Sequence, residues 1–479
     1  MPALRFCLLF ACTALAASAA DSPGFSARFE ELKQAASPAQ LYTLLYDLPK
    51  GGDLHNHGFG SNIPEWIYTV ATDPQRNGGD TFYARLRFGA QPDAIAPAAR
   101  HHVIRQFTYD QLPPGVRAEY TPLANLTPTE RAAWCDALRL DAAGEGRMEF
   151  FNVIWTRLGD LSRNPHVRTE LLVENIKAFA AEGLRYLETQ FGADGFVAKD
   201  GRVLTRDEGV DFIRARLARP DVAPILASGF VVRFQDTVLR FAPDAERRLR
   251  ETYAFVAAHR DLWVGLNMAG IEENGKGYPR RFLDTFRELR RRHPTLRLSI
   301  HAGEMDGPDS HVRDTLLLGA SRIGHGVNLI NDPDTFLLLQ QSQRVLVEVN
   351  LISNRLLEYT PDLSAHPFPE YLRTGLPVCL NTDDRGMWDS NMTDEYYTAV
   401  TTFNLSWDEM VTLGRNSLAY SFAQPDVKAR LLADYDARVA AFEARYGGGS
   451  VADALARLAA VKPVAYGYAK RTWGFAFAK

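Results

Sequence analysis

Leu298-Ser-Ile-His301-Ala-Gly-Glu304 is an apolar run, of the kind that forms a buried parallel strand, closed by a histidine, a small-residue turn and a glutamate. Asp53-Leu-His55-Asn-His57 and Val378-Cys-Leu-Asn-Thr-Asp383-Asp384 have the same form. Because residues i and i+2 of a strand share a face, His55 and His57 point the same way and can hold one ion. Three histidines and an aspartate at strand ends suit Zn²⁺, and the predicted ligands are His55, His57, His301 and Asp383.

The competing interpretation is that these histidines are hydrogen-bonded core groups with no metal. For one histidine in a strand that interpretation would be preferred. Three such clusters at three separate strand ends favour a metal site instead.

The three motifs belong to a longer series of apolar runs. Eight runs occur, at residues 52–57, 184–191, 225–234, 264–270, 296–303, 322–329, 345–353 and 377–384. Helical patterns separate them from the second run on, and alternating strands and helices predict a parallel sheet. Eight such units predict an α/β fold of the (β/α)8 TIM barrel type, whose active sites lie at the carboxyl ends of the strands.

The interval at residues 58–183, between the first and second runs, is too long for a plain barrel unit. It has helical patterns at 130–139 and 147–161, so we expect a long helical insertion, together with the first helix, that acts as a lid over the barrel mouth. Phe150, Phe151 and Trp155 either line an apolar substrate wall or pack the lid on the barrel. Extra helices are expected at 21–48, with a break at Ser37-Pro38, and at 406–442, so that residues 49–479 form the catalytic barrel.

The first 20 residues have the pattern of a secretory signal peptide. Arg5 precedes an apolar run at 6–20, and Ala17-Ser18-Ala19 or Ser18-Ala19-Ala20 offers a cleavage site. We therefore expect export, to the periplasm or the medium, with an uncleaved membrane anchor as the alternative. No other segment has the length and apolar character to cross a membrane.

The composition limits the partners and the redox chemistry. Hydrophobic residues make up 46% of the chain and charged residues 23%, as in a globular protein. The net charge of −4 argues against nucleic acid as a partner. Outside the predicted signal the cysteines are Cys135 and Cys379, and we expect them to be buried thiols, with a disulfide as the less favoured alternative.

Several motifs together carry a family resemblance. "PKGGDLHNH", "HAGE", "SRIGHGVNL", "EVNLISN" and "NTDD" occur in order and resemble the strand-end motifs of adenosine deaminases in the amidohydrolase superfamily. "LGASRIGHG" and "ISNRLL" are most similar to the secreted, growth-factor-related adenosine deaminases and their bacterial relatives. The resemblance implies one Zn²⁺ per chain and hydrolytic deamination of adenosine, or a related 6-aminopurine nucleoside, to the 6-oxo product and ammonia.

The resemblance also implies roles for single residues. Glu304 is similar to the family's proton shuttle, which protonates the ring nitrogen N1, and His325 to the histidine that orients or deprotonates the water. Asp384 resembles the carboxylate that contacts the water and purine N7, and Gly270 the glycine whose N–H binds the purine ring. Lys50 is interpreted as a surface or supporting lysine and not as a catalyst.

One position departs from the family pattern. Where the family often has an acidic residue that binds ribose hydroxyls, two residues after His57, this chain has Phe59. A phenyl ring makes no demand for hydroxyl groups, so we expect Phe59 to contact the substrate and to favour an apolar 5′ substituent. A second departure is Arg385-Gly386 after Asp384, where proline is more usual.

Two other functions stay open on the sequence alone. One is a different amidohydrolase, acting on another 6-aminopurine or, with two metals bridged by a carboxylated lysine, on an amide or ester. The fourth run ends in Asn267-Met-Ala-Gly270 without a lysine, which disfavours the two-metal design. The other is an extracellular purine-binding or signalling protein. The expected partner is a small-molecule purine nucleoside, with no membrane contact after signal cleavage, and a homodimer through the N-terminal helices is possible.

Overall fold

The computed structural model describes residues 23–88 and 96–477. The predicted signal peptide at 1–20 lies outside these residues. The strands, in chain order, are β1 (Gly51–Asp53), β2 (Phe82–Arg85), β3 (Val103–Arg105), β4 (Tyr120–Pro122), β5 (Leu184–Gln190), β6 (Val231–Leu239), β7 (Trp263–Ala269), β8 (Arg297–Ala302), β9 (Arg322–His325), β10 (Leu346–Val349) and β11 (Val378–Leu380).

Eight of these strands form one parallel sheet in the order β1-β5-β6-β7-β8-β9-β10-β11. The two edge strands meet where the chain leaves them, because a parallel bridge joins Asn56 to Asp383. There the Asp383 N–H donates to the His55 carbonyl at 2.9 Å. The predicted (β/α)8 barrel is therefore confirmed, and it closes at the predicted metal ligands.

The helices α10 to α17 alternate with the barrel strands and cover the outside of the sheet. They are α10 (Arg206–Leu217), α11 (Ala223–Ala227), α12 (Ala245–Ala258), α13 (Leu283–Arg292), α14 (His311–Leu318), α15 (Pro333–Ser342), α16 (Leu351–Leu356) and α17 (Phe368–Arg373). Every residue of β7 is buried, as expected for a parallel strand covered on both faces.

The predicted start of the third barrel strand is wrong. The run at 225–234 begins inside helix α11, and the strand itself is β6, Val231–Leu239. Pro224 occupies the first turn of α11, where its missing N–H costs nothing. Gly229, with φ of +100°, then turns the chain into the strand. An apolar run that spans both elements has no break in periodicity to separate them.

The insertion between β1 and β5 holds helices and a small sheet. Its helices are α3 (Pro64–Thr72), α4 (Gln106–Asp110), α5 (Pro114–Arg117), α6 (Pro128–Asp136), α7 (Arg147–Glu149), a π-helix (Phe150–Ile154) and α8 (Trp155–Arg157), followed by α9 (Pro165–Ala181), which leads into β5. The strands β2, β3 and β4 form an antiparallel sheet in the order β3-β2-β4, which the helical prediction for this interval missed. Strands of three or four residues are too short to show a periodic signal.

The terminal helices pack on one another beside the barrel. They are α1 (Pro23–Ala35), α2 (Pro38–Asp47), α18 (Arg385–Trp388), α19 (Met392–Phe403), α20 (Trp407–Ala419), α21 (Pro425–Gly447), α22 (Val451–Arg457) and α23 (Gly467–Trp473). The predicted break at Ser37-Pro38 separates α1 from α2, and Ser37 caps α2. Phe25 lies edge-on to Trp407, with ring centroids 4.7 Å apart. The apolar face of α1 is thus covered by its own chain, and the homodimer stays a prediction.

Short 3₁₀ turns connect several of these elements. They are Pro97–Ala99, Leu123–Asn125, Gly159–Arg163, Pro279–Phe282, Val327–Asn331, Leu363–Ala365 and Leu458–Ala460. Cys135 and Cys379 are buried and not bonded to each other, as predicted. None of the helices in the described ranges combines the length and apolar character that a membrane-spanning helix needs.

Candidate metal centre and active site

The four predicted metal ligands converge at the point where the barrel closes. His57 Nε2 lies 3.0 Å from Asp383 Oδ1, and His55 Nε2 lies 3.5 Å from the same oxygen. His301 Nε2, at the end of β8, lies 3.3 Å from His57 Nε2. Three strand ends thus bring three imidazole nitrogens and one carboxylate oxygen together, as the strand-end motifs predicted.

The donor set fits a zinc ion. Nitrogens bound to zinc at about 2.0–2.1 Å in a tetrahedron lie about 3.3 Å apart, which is the separation of His57 Nε2 and His301 Nε2. His55 Nε2 is buried and has no hydrogen-bond partner among the described residues, as expected of a nitrogen reserved for a metal. His57 is the most open of the ligands, with 18% of its side chain exposed. The centre therefore has one accessible side.

A carboxylate that the sequence analysis left unassigned holds His55 in place. His55 Nδ1 lies 2.8 Å from Glu348 Oε2, and Glu348 also accepts from Ser299 and Arg322. With its Nδ1–H donated to Glu348, the imidazole of His55 presents the Nε2 lone pair to the centre. A glutamate in the middle of the buried strand β10 was the signal that could have revealed this role.

Asp383 and Asp384 both reach the site because the backbone turns between them. The strand β11 ends at Leu380, and Asp383 has a φ of +52° in the left-handed region. Such a residue costs about 1–3 kcal/mol and persists where the surroundings enforce it. Asp384 Oδ1 then lies over Gly60, where a Cβ atom would be only 1.6 Å away. Glycine at position 60 is therefore required for this carboxylate.

The two carboxyl groups differ in protonation. Burial raises the pKa of Asp384 well above its usual range, and the charge of Asp383 raises it further. In Asp383 the adjacent imidazoles of His55 and His57 outweigh the effect of burial and hold the pKa well below its usual range. Asp383 therefore carries the charge of the pair, as a metal ligand must.

Glu304 lies beside this centre, and backbone hydrogen bonds to Glu272 fix its position. The N–H groups of Gly303 and Glu304 donate to the two oxygens of Glu272, at 3.1 and 3.2 Å. Glu272 is buried and also pairs with His311. Burial raises the pKa of Glu304 well above its usual range, and the charges of Asp383 and Glu272 add to this. A protonated glutamic acid is what an acid catalyst at this position requires.

His325 completes the group of predicted catalytic residues. It ends β9 with a φ of +64°, and its Nε2 lies 3.6 Å from Glu304 Oε1 and 4.0 Å from Asp383 Oδ2. The preceding Gly324 leaves room for the metal ligand His55, because a Cβ atom there would lie 2.7 Å from His55 Cε1. All three predicted catalytic residues, Glu304, His325 and Asp384, thus face one space.

That space is a cavity of about 490 Å³. Its floor consists of the ionisable residues His57, His301, Glu304, His325, Asp383 and Asp384. Its wall consists of Phe150, Phe151, Asn152, Trp155, Thr237, Leu239, Phe241, Ala269, Gly270, Ile271 and Asn274. The predicted substrate contacts Gly270, Phe150, Phe151 and Trp155 are all present, whereas the sequence analysis missed the wall residues from β6 and from the loop after β7.

The π-helix Phe150–Ile154 brings the insertion to the cavity. Phe150 both lines the cavity and packs on Trp388, with ring centroids 4.9 Å apart. Arg147, just before the π-helix, donates hydrogen bonds to Glu273 and Asp306, which lie on two different barrel loops. Its Cζ atom lies 4.2 Å from the centroid of the Tyr359 ring. Both interpretations of these aromatic residues therefore apply, because the residues form the cavity wall and also pack the insertion on the barrel.

Phe59 is the predicted substrate contact that the structure does not bring to the cavity. Phe59 is 9% exposed and belongs to the hydrophobic cluster of the insertion, with Trp388 and Leu171. Phe59 lies in a tight turn, in which the Ser61 N–H donates to the His57 carbonyl, and it is not among the residues that line the cavity. The expected contact between Phe59 and the sugar therefore has no geometric support.

Lys50 has a supporting role inside the protein and does not lie on the surface. Its ammonium group is buried and donates to the carbonyls of Tyr46, Leu48 and Glu182, at 3.0, 3.3 and 2.7 Å. Three acceptors satisfy the three N–H groups of an ammonium. Lys50 thus joins the end of α2 to the turn between α9 and β5, away from the cavity.

Comparison with known proteins agrees with this geometry. Residues 137–438 match the family model described as adenosine deaminase. The chain is 32% identical to the adenosine deaminase of Erwinia tasmaniensis over 264 residues, which cover 54% of this chain and 75% of that protein. It is 27% identical to the adenosine deaminase of Mycobacterium ulcerans over 347 residues, which cover 68% of this chain and 91% of that protein. The match to the adenosine deaminase of Enterococcus faecalis is 36% identical and spans about half, 48%, of that relative.

Solved structures of similar fold include two further deaminases and a zinc protein. An adenine deaminase from Arthrobacter aurescens has a TM-score of 0.59 at 22% identity, covering 82% of this chain and 99% of that one. An amidohydrolase from Burkholderia ambifaria with bound zinc has a TM-score of 0.60 at 19% identity, covering 88% and 96%. An N6-mAMP deaminase from Arabidopsis has a TM-score of 0.58 at 21% identity, covering 82% and 99%. The chain is a hydrolytic deaminase and belongs to the adenosine deaminase family.

Proposed function

We propose that this chain catalyses the zinc-dependent hydrolytic deamination of adenosine or a related 6-aminopurine nucleoside. The observation that carries the proposal is the convergence of three histidines, Asp383 and Glu304 at the base of one cavity. A metal held by His55, His57, His301 and Asp383 would lower the pKa of a water molecule and so supply a nucleophile at neutral pH.

The other floor residues would handle protons. Addition of water at C6 of the purine breaks the ring aromaticity and places electron density on N1. Glu304, protonated because of its raised pKa, would give its proton to N1 and stabilise the addition product. Collapse of that product expels ammonia once the amino nitrogen has received a proton. Asp384 faces the same space and is the second carboxyl group available to carry a proton.

The cavity wall favours an uncharged substrate over a nucleotide. Among the residues that line the cavity there is no lysine or arginine that could bind a phosphate group. Arg147, on the lid beside Phe150, is already neutralised by Glu273 and Asp306. A phosphate entering this cavity would lose its hydration without gaining a cation, which is costly.

The composition of the wall also supports a weak requirement for the sugar hydroxyl groups, by an argument that does not depend on Phe59. Its apolar part includes Leu239, Phe241 and Ile271, and its polar part consists of Asn152, Thr237 and Asn274. The only carboxyl groups that line the cavity are those of the floor. Because no buried carboxylate on the wall would be left unpaired, a missing sugar hydroxyl carries little penalty. The volume of about 490 Å³ lies within the range of about 300–1,000 Å³ for pockets that take a drug-sized ligand, which favours a nucleoside over a free base.

The experiment is a panel of 6-aminopurines assayed for ammonia release: adenosine, 5′-deoxyadenosine, methylthioadenosine, AMP and adenine. We expect the three nucleosides to have kcat/KM values within about tenfold of one another, a gap of about 1.4 kcal/mol. AMP and adenine should be slower than adenosine by more than about a hundredfold. The Glu304→Gln variant serves as the control for ammonia from other sources. AMP as the best substrate would contradict the proposed substrate class.

A further inference from the structure

We infer that Asn354 and His366 hold the His325 ring with its proton on Nε2, so that His325 presents an N–H group to the cavity and cannot take a proton from the attacking water at that nitrogen. The inference rests on the proposed function for its catalytic consequence. It rests on three hydrogen bonds for the ring itself. Those bonds form a chain from Phe368 through His366 and Asn354 to His325.

This chain of hydrogen bonds begins at a backbone N–H group, which can act only as a donor. The backbone N–H of Phe368, at the start of α17, donates to His366 Nδ1 at 3.0 Å. A backbone amide can only donate, so His366 Nδ1 must accept and carries no proton. The single ring proton of His366 therefore lies on Nε2. Burial lowers the pKa of His366 to about 3, in keeping with one ring proton and no more.

The second link sets the orientation of an amide. His366 Nε2 lies 3.3 Å from Asn354 Oδ1, and with its proton there it donates to that oxygen. The two ends of an asparagine amide are ordinarily hard to tell apart, and the hydrogen-bond network has to assign them. Here the backbone of Phe368 assigns them through His366. The NH₂ end of Asn354 must then face the other way.

The third link reaches His325. Asn354 Nδ2 lies 3.4 Å from His325 Nδ1, so that nitrogen accepts from the amide and carries no proton. Asn350 Nδ2 lies 3.2 Å from the same nitrogen and 3.5 Å from His325 Nε2, so it faces both ring nitrogens and does not distinguish between them. Since an imidazole keeps at least one proton, the proton of His325 is on Nε2.

The direction of that proton agrees with its surroundings. His325 Nε2 faces two carboxyl oxygens across the cavity floor, Glu304 Oε1 at 3.6 Å and Asp383 Oδ2 at 4.0 Å, both beyond direct hydrogen-bond distance. Asn354, His366 and Phe368 are at most 1% exposed, so solvent does not compete for these bonds. In such a buried network each group must be satisfied by its neighbours, which makes the assignment of one donor determine the next.

The consequence is a choice between two roles for His325. A ring that carries its proton on the cavity side can orient the oxygen of the water and stabilise negative charge on it. It cannot accept the water's proton at that nitrogen. The proton lost by the water therefore passes to Glu304, whose carboxylate can accept it after giving its own proton to N1. Asn354 and His366 act through His325 and are positioning residues.

The direct test reads the ring itself. Protein labelled with ¹⁵N-histidine and loaded with zinc is examined by NMR without substrate, and His325→Gln identifies the His325 signals. We expect the Nδ1 of His325 to resonate as an unprotonated nitrogen and the Nε2 as a protonated one. A protonated Nδ1 would overturn the inference. Because no turnover is involved, this result is independent of whether adenosine is the substrate.

The second test changes the donor at Asn354. In Asn354→Asp a carboxylate oxygen faces His325 Nδ1 and draws the proton to that side, so we expect kcat to fall by about 10²–10⁴-fold, as when a catalytic histidine is held in the wrong tautomer. Zinc content and KM should stay the same, and the ¹⁵N spectrum should show the proton on Nδ1. Asn331→Asp, an exposed asparagine on the same barrel, is the matched control.

A third variant covers the case in which Asn354→Asp fails to fold. His366→Phe keeps a ring of similar size but removes the donor that orients Asn354, and we expect kcat to fall by about 10–100-fold with zinc retained. If both folded variants keep kcat within about threefold of the parent and leave the His325 signals unchanged, the chain does not control His325 and the inference is wrong.

Discussion

The floor and the wall of the cavity are built in different ways. The floor stands on the ends of short, largely buried strands, and further carboxylates support it, with Glu348 bound to the metal ligand His55 and Glu272 bound to the backbone of Glu304. The wall comes mainly from the π-helix Phe150–Ile154 of the insertion and from loops, and it is fastened across the barrel mouth by Arg147. The difference suggests that the floor sets the chemistry and the wall sets substrate affinity.

The largest expected effect belongs to the floor. Glu304→Gln keeps the shape of the side chain but removes its transferable proton, so we expect kcat to fall by about 10²–10⁴-fold. Zinc content by elemental analysis should be unchanged, because Glu304 is not one of the four ligands. A loss of less than about tenfold would show that Glu304 is not the acid.

The pH dependence sharpens the same assignment. Burial, Asp383 and Glu272 raise the pKa of Glu304, and the active form is the protonated one. The activity that depends on protonated Glu304 is therefore present below the raised pKa of Glu304 and is lost as the pH rises through that pKa. We expect an alkaline fall in kcat/KM that is absent from the residual activity of Glu304→Gln. An unchanged alkaline fall in that variant would assign it to another group.

A change in the wall should act differently. Arg147→Ala removes the contacts with Glu273, Asp306 and the Tyr359 ring that join the lid to the barrel loops. We expect KM for adenosine to rise by about tenfold, equivalent to about 1.4 kcal/mol, with kcat within about threefold of the parent. Arg287→Ala, an exposed arginine on α13, is a suitable control. A fall in kcat alone would contradict the division between floor and wall.

The smallest expected effects come from a matched pair of phenylalanines. Phe151 lines the cavity, whereas Phe59 is buried in the cluster of the insertion. Phe151→Leu should raise KM about threefold without loss of stability. Phe59→Leu should lower the free energy of unfolding by about 1 kcal/mol and leave KM unchanged, as core substitutions of similar size do. Denaturation curves and steady-state kinetics on both variants decide between the two positions. A raised KM in Phe59→Leu would restore Phe59 as a substrate contact.

The same contrast explains what could be predicted from the sequence. His55, His57, His301 and Asp383 follow short apolar runs, and parallel strands bring such positions to one edge, so these residues could be placed together in advance. Phe59 could not be placed, because its direction depends on a turn closed by the His57 carbonyl. The sheet β2–β4 and the wall residue Phe241 also lack a periodic signal. Asn354 and His366 are 12 positions apart and become neighbours only in the fold.

The measurement that tests the central claim most directly is a zinc titration of the metal-free protein. The protein is stripped with a chelator, zinc is added back in steps below and above one equivalent, and ammonia release from adenosine is followed at each step. We expect no activity without metal and a linear rise that ends at one zinc per chain, because four convergent ligands form a single centre. Full activity after exhaustive chelation, or a rise that continues to two zinc ions per chain, would contradict the account.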